Sequence, residues 1–160
     1  MKLKRALLAA GRLIVGGVIV YAAYAKLRGP WLQFAVSLNG YGILPESALE
    51  PVARTLPWGE LALGIAILSG IWLRWFALLG SLMLGFFFAL MVRSYAAGLK
   101  IDCGCFGPGE ALGPKTLLRD GVLLALALAV TIGAFRARRR SAVPGLSAES
   151  SADTELTHPA

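Results

Sequence analysis

Two cysteines, the only ones in 160 residues, stand two apart in the segment Asp102-Cys103-Gly104-Cys105-Phe106-Gly107. Random placement gives this spacing roughly once in eighty. Thiols this close can bridge or exchange. Cα atoms two residues apart lie toward the upper end of the window of about 4.4–6.8 Å that a disulfide tolerates, so the bridge can close under strain. Gly104, lacking a Cβ, supplies the backbone freedom for that closure. A strained, exposed bridge has a raised reduction potential, about 30 mV corresponding to about 1.4 kcal/mol for two electrons. The chemistry expected is thiol–disulfide exchange at an accessible, easily reduced pair. Lys100, Lys115 and Arg93 favour the thiolate and Asp102 opposes it. Gly107-Pro108-Gly109 reads as an open turn that leaves room for another protein.

Other readings of the motif stay on the table. A purely structural brace gains little, because so short a loop hardly restricts the unfolded chain. Zinc or copper(I) binds thiolates, but tetrahedral sites want about four ligands, and the single histidine, His158, falls near the end of the sequence. No metal is assigned. Inert, permanently reduced thiols are a third reading. Glu60 and Asp120 are the remaining chemical candidates, because ionisable groups inside apolar helices are costly and often functional. Glu60 reads equally well as a proton-handling group or as a carboxylate at the headgroup boundary. Asp120, beside Arg119, reads as an interfacial ion pair with a favourable charge at a helix start.

The elements that must position these residues are apolar helices. The chain is 57% hydrophobic, with 16% charged residues and a mean hydropathy of +0.68. That leaves too little polar surface for a soluble globule. A spanning helix needs about 20 residues, and four stretches qualify, at about 6–25, 53–69, 75–95 and 116–135. The predicted fold is all-α, a membrane four-helix bundle over residues 1–140, with a disordered cytoplasmic tail at 141–160. Arg12, early in the first span, is expected to reach the near headgroups. Trp31, Phe34 and Leu38 behind Pro30 predict a short amphipathic helix on the outer surface, in the first loop. Pro45, Pro51 and Pro57 are expected to keep the approach to the second span irregular. The second and third spans form a hairpin. Small residues every fourth position, Ala77, Ser81, Gly85 and Ala89, then Gly121, Ala125, Ala129 and Gly133, predict close packing of the last two spans.

Basic residues set the orientation. Lys2, Lys4, Arg5, Arg12, Arg74, Arg136, Arg138, Arg139 and Arg140 lie on one side with no acid near the spans. The other side holds Lys26, Arg28, Arg54, Arg93, Lys100, Lys115 and Arg119, diluted by six acids. Both termini are therefore expected inside, and the cysteine loop outside, where disulfides persist. The net charge of +7 is then topology, and no nucleic acid is implied. Lys-Leu-Lys-Arg, an apolar run and Ala23-Tyr24-Ala25 imitate a cleavable signal, but Arg12 interrupts it and Lys26 follows at once, so the span is expected to be retained.

Cys103-Gly104-Cys105-Phe106-Gly107, the run Leu117-Leu118-Arg119-Asp120 and the run Pro57-Trp58-Gly59-Glu60-Leu61 with Gly64 and Gly70 resemble the methylamine utilisation protein MauE family, within the wider DoxX-like membrane proteins. The resemblance covers roughly residues 6–136. It implies a bacterial inner-membrane protein serving redox maturation of an exported client, such as a methylamine dehydrogenase, with a thioredoxin-fold partner. Cys103 and Cys105 would be the reacting residues, supported by Gly104, Phe106, Gly107, Glu60, Arg119 and Asp120. Relays of the vitamin K epoxide reductase type pass electrons between two cysteine pairs, and this chain has one. Exchange is then direct, or a partner supplies the second pair. No cofactor is assigned, and a quinone stays a candidate. The competing class is a non-enzymatic membrane scaffold whose cysteines only brace the loop.

Overall fold

The computed structural model describes residues 2–99, 101–106 and 110–141, with side chains for 6–99, 101–106 and 110–136. Five helices account for most of it: α1 (Lys2–Arg28), α2 (Trp31–Gly40), α3 (Glu46–Ser69), α4 (Leu73–Ala96) and α5 (Pro114–Ser141). No strand occurs among the described residues; Asp102 and Ala111 form one isolated antiparallel bridge. The expected all-α class holds. Gly107, Lys100 and the expected tail from 142 onward lie outside the described residues, and Ser141 closes α5.

Among the described residues three helices, Ala6–Arg28, Leu73–Ala96 and Pro114–Arg136, are long and apolar enough to cross a membrane. The expected second span, in α3, is not among them. Its first fifteen residues carry Glu46, Glu50, Arg54 and Glu60 along with two prolines, which dilute the apolar run. Those prolines also overturn the expectation of an irregular approach. The helix starts at Glu46 and runs through Pro51 and Pro57. A proline removes one backbone donor and crowds the turn before it, but neighbouring helices can hold such a turn in place. Here α2 packs Phe34, Ala35 and Leu38 against Ala53.

Four helices contribute to one apolar core: Val15 and Ile19 from α1, Leu63 and Ile67 from α3, Ala77 from α4, Ala127 and Val130 from α5. The most extensive contact is between α1 and α3. It depends on two glycines. A Cβ on Gly64 would sit 3.0 Å from the Val20 backbone nitrogen and 3.1 Å from the Gly16 carbonyl oxygen, so the two backbones meet with nothing between them. The Arg12 guanidinium lies against Gly70, at the C-terminal end of α3. Arg12 thus meets a helix end, where a cation is favoured.

Between α4 and α5 the expected ridge holds in part. Ala77 and Ser81 are buried and Gly85 half-buried, and the Ser81 and Thr131 hydroxyls bond at 2.9 Å. Ala89, Ala125 and Ala129 are exposed; α5 turns Ala127, Val130 and Thr131 inward instead. The α3–α4 hairpin is as expected, its corner made by Gly70 at φ 76° and Trp72 at φ 45°.

Candidate functional site

The antiparallel α1–α3 crossing sets up the floor of the site. Above the Gly16–Gly64 contact, Lys26 of α1 and Glu60 of α3 meet. Lys26 Nζ donates to both Glu60 carboxylate oxygens, at 2.8 and 2.7 Å. Both side chains are about 5% exposed or less. Helical side chains lean toward their own N-termini, and in antiparallel helices that brings Lys26 down and Glu60 up to a common level. The Phe34 ring of α2 lies 5.3 Å from the ammonium.

The cysteine segment folds down over this floor. Its two legs are stitched together: the Cys103 N–H donates to the Glu110 carbonyl and the Leu112 N–H to the Ile101 carbonyl, both at 2.9 Å. The Tyr41 hydroxyl, at the end of α2, donates to the Cys103 carbonyl oxygen at 2.8 Å. Burial pushes the Tyr41 hydroxyl well above the usual phenol range, so it remains a donor. Gly104 has φ +68°, and a Cβ there would stand 2.9 Å from the Ser37 Cβ. Only glycine fits this seat on α2.

The expectation of exposed thiols is corrected here. Cys103 is 3% exposed and Cys105 half-buried, both as free thiols. The seat on α2 and the Tyr41 bond pull the loop inward. The Cys103 thiol donates to Glu110 Oε2 at 3.3 Å, and the Cys105 sulfur lies 4.0 Å from Met91 Sδ. Arg119 fastens the loop to α5: it pairs with Glu110, bonds Asp120 Oδ1 at 3.1 Å and Oδ2 at 3.3 Å, and stacks 4.2 Å from the Phe106 ring centre. The expected Arg119–Asp120 pair is therefore present, with Asp120 buried.

The two sulfurs differ. The hydrogen bond from Cys105 holds the Cys103 thiol below the usual cysteine range, against opposition from burial and from the Glu110 carboxylate. That same bond, then burial and the Asp120 carboxylate, push Cys105 far up. Of the two, Cys103 is the thiol held toward its thiolate form. Among the described residues the groups that set these two thiols are each other, the Glu110 and Asp120 carboxylates and, opposing the rise of Cys105, Lys26; Lys100 lies outside them.

A cavity of about 50 Å³ joins these pieces. Its lining includes Cys103, Cys105, Asp120, Tyr41, Lys26 and Glu60, with Gly104 and Phe106 at its rim and apolar groups from α1, α2, α4 and α5. Seven of the eight expected site residues are thus brought together, Arg119 from outside the cavity, and Gly107 lies outside the described residues. Lys26, Tyr41, Glu110 and Met91 were not foreseen. A signal for Lys26 existed: an acid inside an apolar helix demands a partner, and Lys26 is the first base at the same end of the preceding long helix. Among the described residues no cluster of three or more His, Cys, Asp or Glu side chains could hold a metal ion.

A family profile described as "Methylamine utilisation protein MauE" matches residues 4–133, a stretch that holds every residue of this site. The chain belongs to the MauE family. It is 32% identical over 125 residues to a methylamine utilization protein MauE of Paracoccus denitrificans, covering 76% of this chain and 67% of the relative. It is 38% identical over 122 residues to a MauE of Methylophilus methylotrophus, 73% and 60%, and 31% identical over 120 residues to one of Paracoccus versutus, 73% and 64%. The chain thus spans some three fifths to two thirds of the MauE sequences it matches. No solved structure matches. Three helices fit to cross a membrane, together with the MauE family, make this a membrane protein.

Proposed function

We propose that this chain is a thiol–disulfide exchange protein of the bacterial inner membrane, serving the maturation of an exported client through a thioredoxin-fold partner. The relatives' names speak of methylamine utilization, and a methylamine dehydrogenase is the client class that the family resemblance implies. In this reading α1, α3, α4 and α5 form a four-helix membrane bundle with both termini inside. The fourth span is α3, and the Lys26–Glu60 pair supports that assignment, because each charge is neutralised by the other before it meets lipid. The cysteine loop faces outward, and residues 141–160 follow as a cytoplasmic tail.

The observation that carries the mechanism is the inequality of the two sulfurs. In the disulfide form, a partner thiolate attacks the more accessible Cys105 sulfur. The Cys103–Cys105 bond breaks and Cys103 departs as the thiolate, which its lowered acidity range favours in a leaving group. The partner's second thiolate then attacks the mixed disulfide and releases Cys105, which takes a proton. Two electrons pass to this chain, and the partner gains one disulfide. A second acceptor restores the Cys103–Cys105 bridge.

The test is to trap the intermediate in cells. Cys103→Ser leaves Cys105 without an internal partner, so a mixed disulfide on Cys105 accumulates; Cys105→Ser accumulates far less, because Cys103 is buried. Normal client oxidation in both variants, or full biological activity in the double Cys→Ala variant, defeats the proposal in favour of a scaffold.

A further inference from the structure

The sequence contains three methionines, Met1, Met83 and Met91, and two cysteines. Met83, Met91, Cys103 and Cys105 all line the same cavity. Apart from the first residue, every sulfur in the chain converges on one place. Three of these sulfurs are neighbours: Met91 Sδ lies 4.0 Å from the Cys105 sulfur, and the Cys105 thiol donates to the Cys103 carbonyl oxygen at 3.7 Å, two residues away on the same cavity wall. Met91 is 1% exposed, and the surrounding Phe34, Phe87 and Leu84 give the cavity a largely apolar wall.

This is a soft, dry, low-coordination donor set. Thiolate and thioether select copper(I), whereas zinc sites want about four ligands drawn from thiolate, imidazole and carboxylate, and thioether is not among them. The 4.0 Å between Met91 and Cys105 fits as well. Three ligands in a plane around a metal, with metal–sulfur bonds of about 2.3 Å, stand about 4.0 Å apart. We propose that the reduced chain binds one copper(I) ion through the Cys103 and Cys105 thiolates and the Met91 thioether. Two thiol protons leave, two thiolate bonds and one thioether bond to the metal form, and no electron changes hands. The disulfide form lacks the thiolates and releases the ion. This inference does not depend on the exchange reading, since it requires only the dithiol.

The experiment is an anaerobic titration of the full-length, pre-reduced protein in detergent against copper(I) held by bicinchoninate. The wild type withdraws one equivalent. Met91→Leu, a nearly volume-conserving change, weakens binding by at least about tenfold, Met83→Leu binds as the wild type, and Cys103→Ser abolishes binding. X-ray absorption at the copper edge of the wild-type complex finds three sulfur neighbours and no nitrogen or oxygen, a readout that no variant's folding can obscure. Retention of all copper by bicinchoninate, or two sulfurs with Met91→Leu binding as well as wild type, overturns the proposal. Exchange with a small disulfide probe, measured in the copper-free wild type and in Met91→Leu, reports on the exchange reading separately: either reading can fail while the other stands.

Discussion

The Lys26 ammonium bonds both oxygens of the Glu60 carboxylate inside the protein, at 2.8 and 2.7 Å. A charge pair this deep stabilises little relative to apolar side chains of the same shape, but breaking it leaves one ion without compensation. Lys26→Met or Glu60→Leu alone should therefore lower stability by about 3–5 kcal/mol, and the double variant should recover most of it. Thermal unfolding in detergent, followed by circular dichroism, measures both. Equal loss in the single and double variants would contradict the pairing.

Gly104→Ala meets two penalties. Its φ of +68° disfavours a side chain by about 1–2 kcal/mol, and the new Cβ would press on Ser37. The loop should lift from α2, and the thiols should react with an alkylating reagent roughly 5–30 times faster, the population change that 1–2 kcal/mol brings. Ser37→Gly in the same chain removes the contact and leaves the φ penalty, so it should reverse the effect in part.

Alkylation against pH should separate the sulfurs. Cys103, held low, should begin to react below the ordinary cysteine midpoint of about 8.5, and Cys105, pushed up, should stay unreactive across neutral and mildly alkaline pH. The signs for neighbours are opposite. Cys105→Ala removes the bond that lowers Cys103 and should move its midpoint up, while Glu110→Gln removes a carboxylate that raises it and should move it down. Mass spectrometry of the alkylated peptides reads both midpoints. By linkage, the Cys103 contribution to stability is complete above the unfolded-chain value and fades as pH falls through the lowered one.

Ser81→Ala breaks the 2.9 Å bond to Thr131 between α4 and α5. Such bonds within membrane bundles are worth about 0.6 kcal/mol, and the Thr131 hydroxyl keeps a 2.9 Å bond to the Ala127 carbonyl. The loss should be well under that for Glu60→Leu. A loss as large would mean that hydroxyl pairing, rather than backbone proximity, holds these helices together.

Much of this was legible in the residues because lipid makes length and apolarity strong signals. The cysteine pair and its flanking Arg119 and Asp120 were visible as chemistry, and Trp31, Phe34 and Leu38 announced α2. What the sequence hid was depth. Nothing local in Cys103 tells that Ser37 and Tyr41, more than sixty residues away, draw it inward. The small residues of α5 recur every four positions, yet Ala127 and Thr131 face the core instead of Ala125 and Ala129, because abundance of alanine blurs which stripe packs. The prolines of α3 were misread for a related reason: proline chemistry is local, but the packing against Ala53 that holds the helix together is not.

Arg119 is one cation shared by two anions, Glu110 and Asp120. Among the described residues this cluster therefore carries one net negative charge beside the sulfur cavity, and Lys26 is spent on Glu60. A small anionic thiol such as glutathione should be repelled there, whereas a neutral thiol or a protein with a basic rim should not. Such a cluster should sort reductants by charge before any sulfur is touched. Reduction rates with anionic and neutral thiols, compared at rising salt, should converge as that field is screened.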